Sequence, residues 1–282
     1  TKSINLFKSF SDKVVLAPSL SIKSSESAFE IDSKDINSPG FWLAPGYRLD
    51  YVRSIGMPFS GVFVHAWSYF DLNHIYGIDA VSLLDKDTML FPYNSNFSAS
   101  YRSRASWEFE KDKGLAFDQS SSGFALMTTN SKFILGYFSP KLGPFQSSNL
   151  SLSGQYPSFM QLNYEYTVNK LNLHFIAGKL ESLISSDPTD NKSHSVPRYV
   201  FLHRLNFNVL DNLRLSIYEM IITGGDNLNL AYLNPISLYW SIQHASYDKD
   251  NLLMGFDFDY QLNKNRIYGA FSIDEWRPEN TL

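Results

Sequence analysis

The stretch from Asn251 to Leu262 reads Asn-Leu-Leu-Met-Gly-Phe-Asp-Phe-Asp-Tyr-Gln-Leu, and apolar and polar residues alternate along it. Successive side chains of a β-strand point to opposite faces. One face carries Leu252, Met254, Phe256, Phe258, Tyr260 and Leu262, and the other carries Leu253, Gly255, Asp257, Asp259 and Gln261. A tilted strand crosses a bilayer in roughly 9–11 residues, which is close to the length of this segment. The pattern predicts a membrane-spanning strand whose polar face turns inward.

The same alternation recurs along most of the chain. A second clear example is Phe97 to Glu110, where every residue of one face is polar. Further strand candidates are residues 14–23, 47–55, 62–71, 124–129, 132–138, 160–168, 171–178, 199–209, 213–222 and 266–274. Short turns such as Asn169-Lys170 and Asp211-Asn212 alternate with long polar connections, as in outer-membrane barrels. We expect an all-β fold, a transmembrane antiparallel β-barrel of about twelve strands, with residues 1–282 as a single domain or as part of a larger barrel.

The composition and the motifs of the chain argue against several classes of function. The 282 residues include 24 basic and 28 acidic residues, a net charge of −4, which argues against a nucleic-acid partner. The chain has no Cys, its six His lack zinc-like spacing, and it contains no nucleophile elbow or phosphate-binding loop. We therefore expect no cofactor, no metal and no enzymatic activity. No apolar run approaches the roughly 20 residues of a membrane helix.

A soluble β-sandwich is the competing interpretation, because its strands also alternate when one face packs on the core. Long strands and aromatic residues near the strand ends favour the membrane. Two residues of the apolar parity, Arg53 and His203, count against it. A charge at the bilayer midplane costs roughly 2–4 kcal/mol, so we expect both residues near a rim or beside a bulge.

The candidate site is a set of polar residues expected to face a lumen. They could hydrogen-bond a hydroxylated or charged solute, or they could form mutual salt bridges that fill the barrel and hold the strand register. Both interpretations stay open at this point. The set comprises Arg102, Arg104, Glu108, Arg204, Glu219, Gln243, His244, Asp257 and Asp259.

Two blocks of sequence resemble a known family. The first block has Ser122 to Leu126, Phe133 to Gly136, Leu142-Gly143-Pro144, Leu150 to Ser153, and Leu162. The second has His203-Arg204-Leu205, Tyr218-Glu219-Met220, Leu233-Asn234-Pro235 and Asp250-Asn251. In this order they resemble the Wzi-type capsule-assembly outer-membrane proteins over roughly residues 115–280. Tyr137 and Phe138 depart from that pattern, because relatives often carry Arg and Trp near this point.

The resemblance implies a barrel of about eighteen strands in the bacterial outer membrane that binds surface polysaccharide and performs no catalysis. The chain is short for that strand count and lacks a terminal aromatic residue, so we expect it to be part of a longer chain. The implied partners are outer-membrane lipid, extracellular polysaccharide and other envelope proteins. A porin-like diffusion channel and a structural subunit of a larger envelope complex remain the alternatives.

Overall fold

The structure is a computed structural model. It describes residues 4–8, 12–25, 30–31, 34–35, 40–55, 61–76, 107–108, 114–145, 149–154, 156, 158–186, 193–225, 229–246 and 250–274. The chain divides into two compact units, which are Thr1–Ser54 with Val64–Gly123, and Ile55–Phe63 with Phe124–Leu282. Of the predicted strand Phe97 to Glu110, only Trp107–Glu108 falls within the described residues. Arg102 and Arg104 therefore lie outside them.

The first unit consists of strands that pair with their neighbours in chain order. Its order is β1-β2-β5-β6-β8, with β7 paired to β8 and with β3 and β4 forming a separate small hairpin. The strands are β1 (Ile4–Lys8), β2 (Asp12–Ser25), β3 (Glu30–Ile31), β4 (Lys34–Asp35), β5 (Gly40–Ile55), β6 (Val62–Tyr76), β7 (Trp107–Glu108) and β8 (Gly114–Met127), the last of which carries residues of both units.

The second unit follows the same rule in the order β9-β12-β13-β14-β15-β16-β17, with a small β10-β11 hairpin beside it. The strands are β9 (Ser131–Phe138), β10 (Lys141–Leu142), β11 (Leu152–Ser153), β12 (Phe159–Val168), β13 (Leu171–Ser186), β14 (Ser193–Leu210), β15 (Leu213–Gly224), β16 (Asn251–Leu262) and β17 (Asn265–Asp274). The two strand orders together contain twelve strands, and the pairings with a defined register are antiparallel. The predicted all-β antiparallel class is therefore confirmed.

Tight turns join the strands of the second unit at one end. Asn169 and Asn263 have φ values of 51° and 53°, a left-handed conformation that Asn tolerates better than most residues. The predicted hairpins through Asn169-Lys170 and Asp211-Asn212 are confirmed by the registers Val168↔Leu171 and Leu210↔Leu213. The long connections all leave from the opposite end of these strands.

Each strand of the second unit separates two kinds of side chain. We call one side the polar face, because its buried polar residues are Gln161, Asn163, His174, Arg204, Ser216, Asp257 and Asp259. The other side, the apolar face, exposes Met160, Tyr166, Phe207, Leu215, Ile217, Phe256, Ile267 and Phe271 to between 38% and 55%. One face thus buries polar groups and the other exposes large apolar groups. This is the reverse of a sheet that packs on the core of a water-soluble protein.

Two of the long connections fold back onto the sheet of the second unit, one on each face. The polar-face segment, of which residues 139–145, 149–154 and 156 are described, contains the β10-β11 hairpin and packs Leu152 against Ile176 and Leu202. The apolar-face segment, residues 229–246, packs Tyr232 and Tyr239 against Phe201, Ile221 and Leu252. The amino-acid sequences of these two connections are similarly polar, yet the connections cover opposite faces of the sheet.

The apolar-face segment is helical. A 3-10 helix, Leu230–Leu233, precedes Pro235, and the helix α1 follows at Tyr239–Ala245. Asn229 begins the first helix by accepting a hydrogen bond from the Ala231 amide at 3.1 Å. Across the part of the chain that the structure describes, no helix has the length and apolar character needed to span a bilayer.

Candidate functional site

An ion pair occupies the centre of the polar face. Arg204 on β14 donates from Nη1 and Nη2 to the two oxygens of Asp257 on β16, at 2.6 and 2.7 Å. Both side chains are only 3% exposed. The pair spans β15 above Ser216, which lies in register with Asp257 and whose small side chain leaves room for the guanidinium. A buried charge requires such a partner, because an unpaired one would lose its hydration without compensation.

A chain of hydrogen bonds extends this ion pair across three neighbouring strands. Arg204 Nε donates to Asn206 Oδ1 at 2.8 Å, and Asn206 Nδ2 donates to Asn172 Oδ1 at 2.7 Å. Asn172 Nδ2 donates in turn to Thr167 Oγ1 at 2.8 Å. The network runs from the buried Arg204 to the exposed Thr167 and connects side chains of strands β12, β13, β14 and β16.

Near β9, the polar face carries a second charged group. Lys132 Nζ lies 3.3 Å from Glu165 Oε1, and His174 Nε2 lies 2.7 Å from Asn163 Oδ1. The His174 ring is also 3.9 Å from Glu165. These side chains come from three adjacent strands, so the carboxylate of Glu165 has its partners in β9 and β13.

A third group lies at the turn end of β15, β16 and β17. Asp259 accepts from Arg266 Nε at 2.7 Å and from Arg214 Nη2 at 3.0 Å. A pocket of about 190 Å³ opens beside it, lined by Asn208, Leu210, Asp211, Asn212, Leu213, Arg214, Asp259 and Gln261. Small-molecule sites usually measure roughly 300–1,000 Å³, so this pocket is small for a solute site.

The polar-face segment adds apolar cover and backbone contacts. Asn149 shapes its turn by accepting from the Phe145 amide at 2.9 Å, and Ser151 Oγ donates to the Leu142 carbonyl at 3.0 Å. At its far end, the Pro144 carbonyl accepts from Arg266 Nη2 at 2.8 Å. The segment therefore reaches from the apolar cluster around Leu152 to the first residues of β17.

Three of the predicted lumen residues lie on the other side of the sheet. Glu219 shares the parity of Ile217 and Ile221, so its side chain belongs to the apolar face. Gln243 and His244 lie in α1, which covers that same face. The predicted lumen position of Glu219, Gln243 and His244 is therefore corrected: strand parity and the fold of the covering segment place all three opposite Arg204.

Glu219 has a structural role in this position. Its Oε2 accepts from the Tyr239 amide at 2.8 Å and lies 2.9 Å from His203 Nε2, and its Oε1 accepts from the Trp240 amide at 3.4 Å. The carboxylate therefore binds the first amides of α1, where a negative charge is favourable. We expected His203 near a rim or beside a bulge, and its place in an unbroken part of the ladder excludes the bulge. Arg53, by contrast, is exposed two residues before the end of β5.

Two buried tyrosines complete the contact between α1 and the sheet. Tyr232 donates its hydroxyl to Asp250 Oδ2 at 2.8 Å, and Tyr239 donates to the Tyr232 carbonyl at 2.9 Å. Burial raises the pKa of both phenols, and the carboxylates of Asp250 and Glu219 act in the same direction. Both hydroxyls therefore remain protonated donors at neutral pH.

The first unit has a polar network of its own. Arg48 Nη1 donates to Asp71 Oδ1 at 3.0 Å, and Ser19 Oγ donates to the same oxygen at 3.1 Å. Asp50 accepts from Tyr69 and lies 3.0 Å from His65 Nε2. In this network Arg48 and Asp71 form an ion pair, and Asp50 is held by hydrogen bonds from neutral or titratable side chains.

The structure thus brings Arg204, Asp257 and Asp259 to one face, as predicted. It gives only the backbone of Glu108, and it adds Lys132, His174, Arg214 and Arg266, which sequence reasoning missed. Their strand parity could have identified these four residues, because each lies on the polar side of a strand. Whether any of these residues contacts polysaccharide stays a prediction.

The fold and the site define a class: a two-faced antiparallel β-protein whose polar face is buried and internally ion-paired. The family model of the capsule assembly protein Wzi matches residues 83–277, more than two thirds of the chain. The chain belongs to this family, and the predicted resemblance is confirmed. A comparison with curated proteins gives no match.

Proposed function

We propose that this chain is an outer-membrane β-barrel of capsule assembly that binds surface polysaccharide and holds it at the bacterial cell. In this proposal residues 1–282 form one barrel domain, with the apolar face toward lipid and the polar face toward the lumen. Membership of the capsule-assembly family supports the role in capsule assembly.

The observation that carries the membrane proposal is the reversed distribution of burial in the second unit. Ile217 is 55% exposed and Phe271 is 51% exposed, whereas Asp257 is 2% exposed. In water, the large apolar surface of such a face would carry a free-energy cost of about 25 cal/mol for each Å² left in contact with solvent. In lipid the same face is in its preferred solvent, and the alternation of lipid-facing and lumen-facing residues is that of a transmembrane strand.

The extended hairpin of β13 and β14 is the proposed contact with polysaccharide. β13 pairs with β12 as far as Lys179, and β14 pairs with β15 as far as Arg198, but β13 and β14 continue together to Ser186↔Ser193. Residues 185–195 contain four Ser, one Thr, two Asp and one Asn. Hydroxyl, carboxylate and amide groups are suited to hydrogen-bonding sugar hydroxyls.

A diffusion channel is less well supported than a binding barrel. Three carboxylates of the polar face in the second unit have cationic partners, in Lys132–Glu165, Arg204–Asp257 and Arg266–Asp259. The polar-face segment also covers part of that face. Planar-bilayer conductance distinguishes the two functions, because a channel gives steady open currents and a filled barrel gives none. Purification with stoichiometric partner proteins would instead favour a subunit of a larger complex.

The test shortens the extended hairpin and measures binding. We expect that joining Leu180 to Arg198 through Asn-Gly abolishes co-sedimentation of the reconstituted protein with capsular polysaccharide extracted from the cells that carry it. The matched control replaces the turn Asn263-Lys264 by Asn-Gly and retains binding. Heat-dependent migration of both variants on SDS gels checks that each is folded.

Two outcomes would count against the proposal. Full binding by the shortened protein would contradict the contact at the hairpin. Failure of the intact chain to co-sediment with the polysaccharide would contradict the binding function itself.

A further inference from the structure

We propose that the apolar-face segment, residues 229–246, lies in the lipid interface of the membrane, as a surface-lying helical element attached to the outside of the barrel. Its partner is the lipid surface, and its outward side chains enter the boundary between headgroups and acyl chains. This inference rests on the proposed barrel, and it adds a membrane contact that the strands alone do not provide.

The composition of the segment is the first argument. Its eighteen residues contain no Asp, Glu, Lys or Arg, whereas 18% of the whole chain is charged. Charged residues return immediately on both sides, at Asp226 and at Asp248 to Asp250. The segment also contains the partly exposed Trp240, and Trp is enriched where a membrane protein passes through the interface.

The side chains that point away from the sheet are the second argument. Ile236 is 85% exposed, Leu230 is 66% exposed and Leu238 is 65% exposed. Three large aliphatic side chains within nine residues would be costly in water, and a surface-lying helical element places such residues at the acyl boundary. The exposed side chains therefore match an apolar environment above the segment.

The position of the segment on the sheet is the third argument. It packs on Ile221 and Leu252. These two residues lie on the same face of the sheet as the exposed pair Ile217 and Phe256, on the same two strands. Ile221 is nine residues beyond the Asp211-Asn212 turn. At a rise of about 3.3 Å per residue and a tilt of about 40°, this places it roughly 23 Å from the turn, near the edge of an apolar band about 25 Å tall. The segment thus sits where lipid tails meet headgroups.

The groups beneath the segment are the fourth argument. Glu219 and His203 are polar residues on a face that otherwise exposes apolar side chains, and ionisable groups are costly against lipid. The α1 amides of Tyr239 and Trp240 and the tilted ring of Tyr239, whose centroid is 4.2 Å from that of His203, enclose this pair. The segment therefore separates the hydrogen-bonded His203–Glu219 pair from the surroundings.

The experiment uses the absence of Cys from the chain. Nitroxide labels are attached to the full chain at Ile236→Cys and, as a second position, at Leu238→Cys, and the protein is reconstituted into phosphatidylcholine vesicles. Ile217→Cys on the strand is the lipid reference, and Lys264→Cys in the tight turn is the aqueous reference. Power saturation in the presence of oxygen, which concentrates in lipid, and of a water-soluble nickel chelate then measures the environment of each label.

We expect the oxygen-to-nickel accessibility ratio at Ile236 and Leu238 to lie between that at Ile217 and that at Lys264, and to exceed that at Lys264 several-fold, because the interface is shallower than the position of Ile217. An aqueous ratio at both positions, with a lipid ratio at Ile217, overturns the inference and leaves the barrel standing. An aqueous ratio at Ile217 as well overturns the barrel together with the inference. Labels shielded from both reagents and broadened by dipolar coupling between molecules would place a second copy on the segment, which also overturns the inference.

Discussion

Arg204 illustrates how a single side chain of the polar face depends on its partners. It reaches Asp257 across an intervening strand, and both groups are almost fully buried. Arg214 performs a similar pairing with Asp259, but its side chain is 42% exposed and Asp259 retains Arg266 as a second partner. The two Arg–Asp pairs should therefore contribute very different amounts to the free energy of unfolding.

We predict that Arg204→Met lowers the free energy of unfolding by about 3–5 kcal/mol, because Asp257 is left as an uncompensated buried charge. Arg214→Met should cost less than about 1 kcal/mol, because Arg214 is partly exposed to solvent and Asp259 keeps Arg266 as its partner. Urea unfolding in phosphatidylcholine vesicles, followed by tryptophan fluorescence, measures both. The double change Arg204→Met with Asp257→Leu should recover most of the loss, and equal losses for the two single variants would contradict the assignment.

The helix α1 shows how an element is held by a residue distant in sequence. It has seven residues, too few for a stable isolated helix, and its N-terminal residue Leu238 provides no side-chain cap. Glu219, on the neighbouring strand, supplies the missing acceptor for the first amides. The element therefore depends on β15 more than on its own sequence.

We predict that Glu219→Leu accelerates amide hydrogen exchange in Tyr239–Ala245. Hydrogen bonds to a charged acceptor contribute about 1.5–3 kcal/mol, so the acceleration should be on the order of 10- to 100-fold. Glu219→Gln, which retains one acceptor oxygen, should restore part of the protection. Exchange in β9 serves as the control for general unfolding, and unchanged exchange in α1 of the Leu variant would refute the role of Glu219.

At the scale of the whole molecule, the proposed orientation gives each face of the second unit's sheet different surroundings. In that orientation the apolar face meets lipid, whereas ion pairs and the polar-face segment lie on the polar face. Ile217 lies five residues from the Asn212 turn, near the middle of an apolar band about 25 Å tall, and Leu262 lies at the end of β16. Both side chains are exposed, so they differ mainly in depth.

We predict that Ile217→Lys lowers stability in vesicles by roughly 2–4 kcal/mol, whereas Leu262→Lys costs roughly 0–1 kcal/mol, because a charge on the lipid face is most costly at the midplane. Urea unfolding of the two variants in the same vesicles measures the difference. If both substitutions cost the same small amount, as on a surface that faces water, the membrane proposal would fail.

Strand positions, turns and face polarity were predictable from the amino-acid order, because they depend on local properties. The two-residue period along Asn251 to Leu262 sets which side chains share a face, and Asn169 and Asn263 supply the left-handed conformations that their turns require. The family resemblance was also legible in short blocks of residues. These features need no knowledge of which strand lies beside which.

Tertiary structure alone decided the pairing of Arg204 with Asp257 and the face that each long connection covers. Arg204 and Asp257 are 53 residues apart, and only the strand order β14-β15-β16 brings them within 2.7 Å. The face to which Glu219 belongs could be predicted from strand parity, but its role could not. Its carboxylate oxygens accept hydrogen bonds from α1, and the docking of α1 depends on Phe201 and Leu252. Local periodicity orients a side chain, whereas its partner is chosen by packing between segments that are remote in the chain.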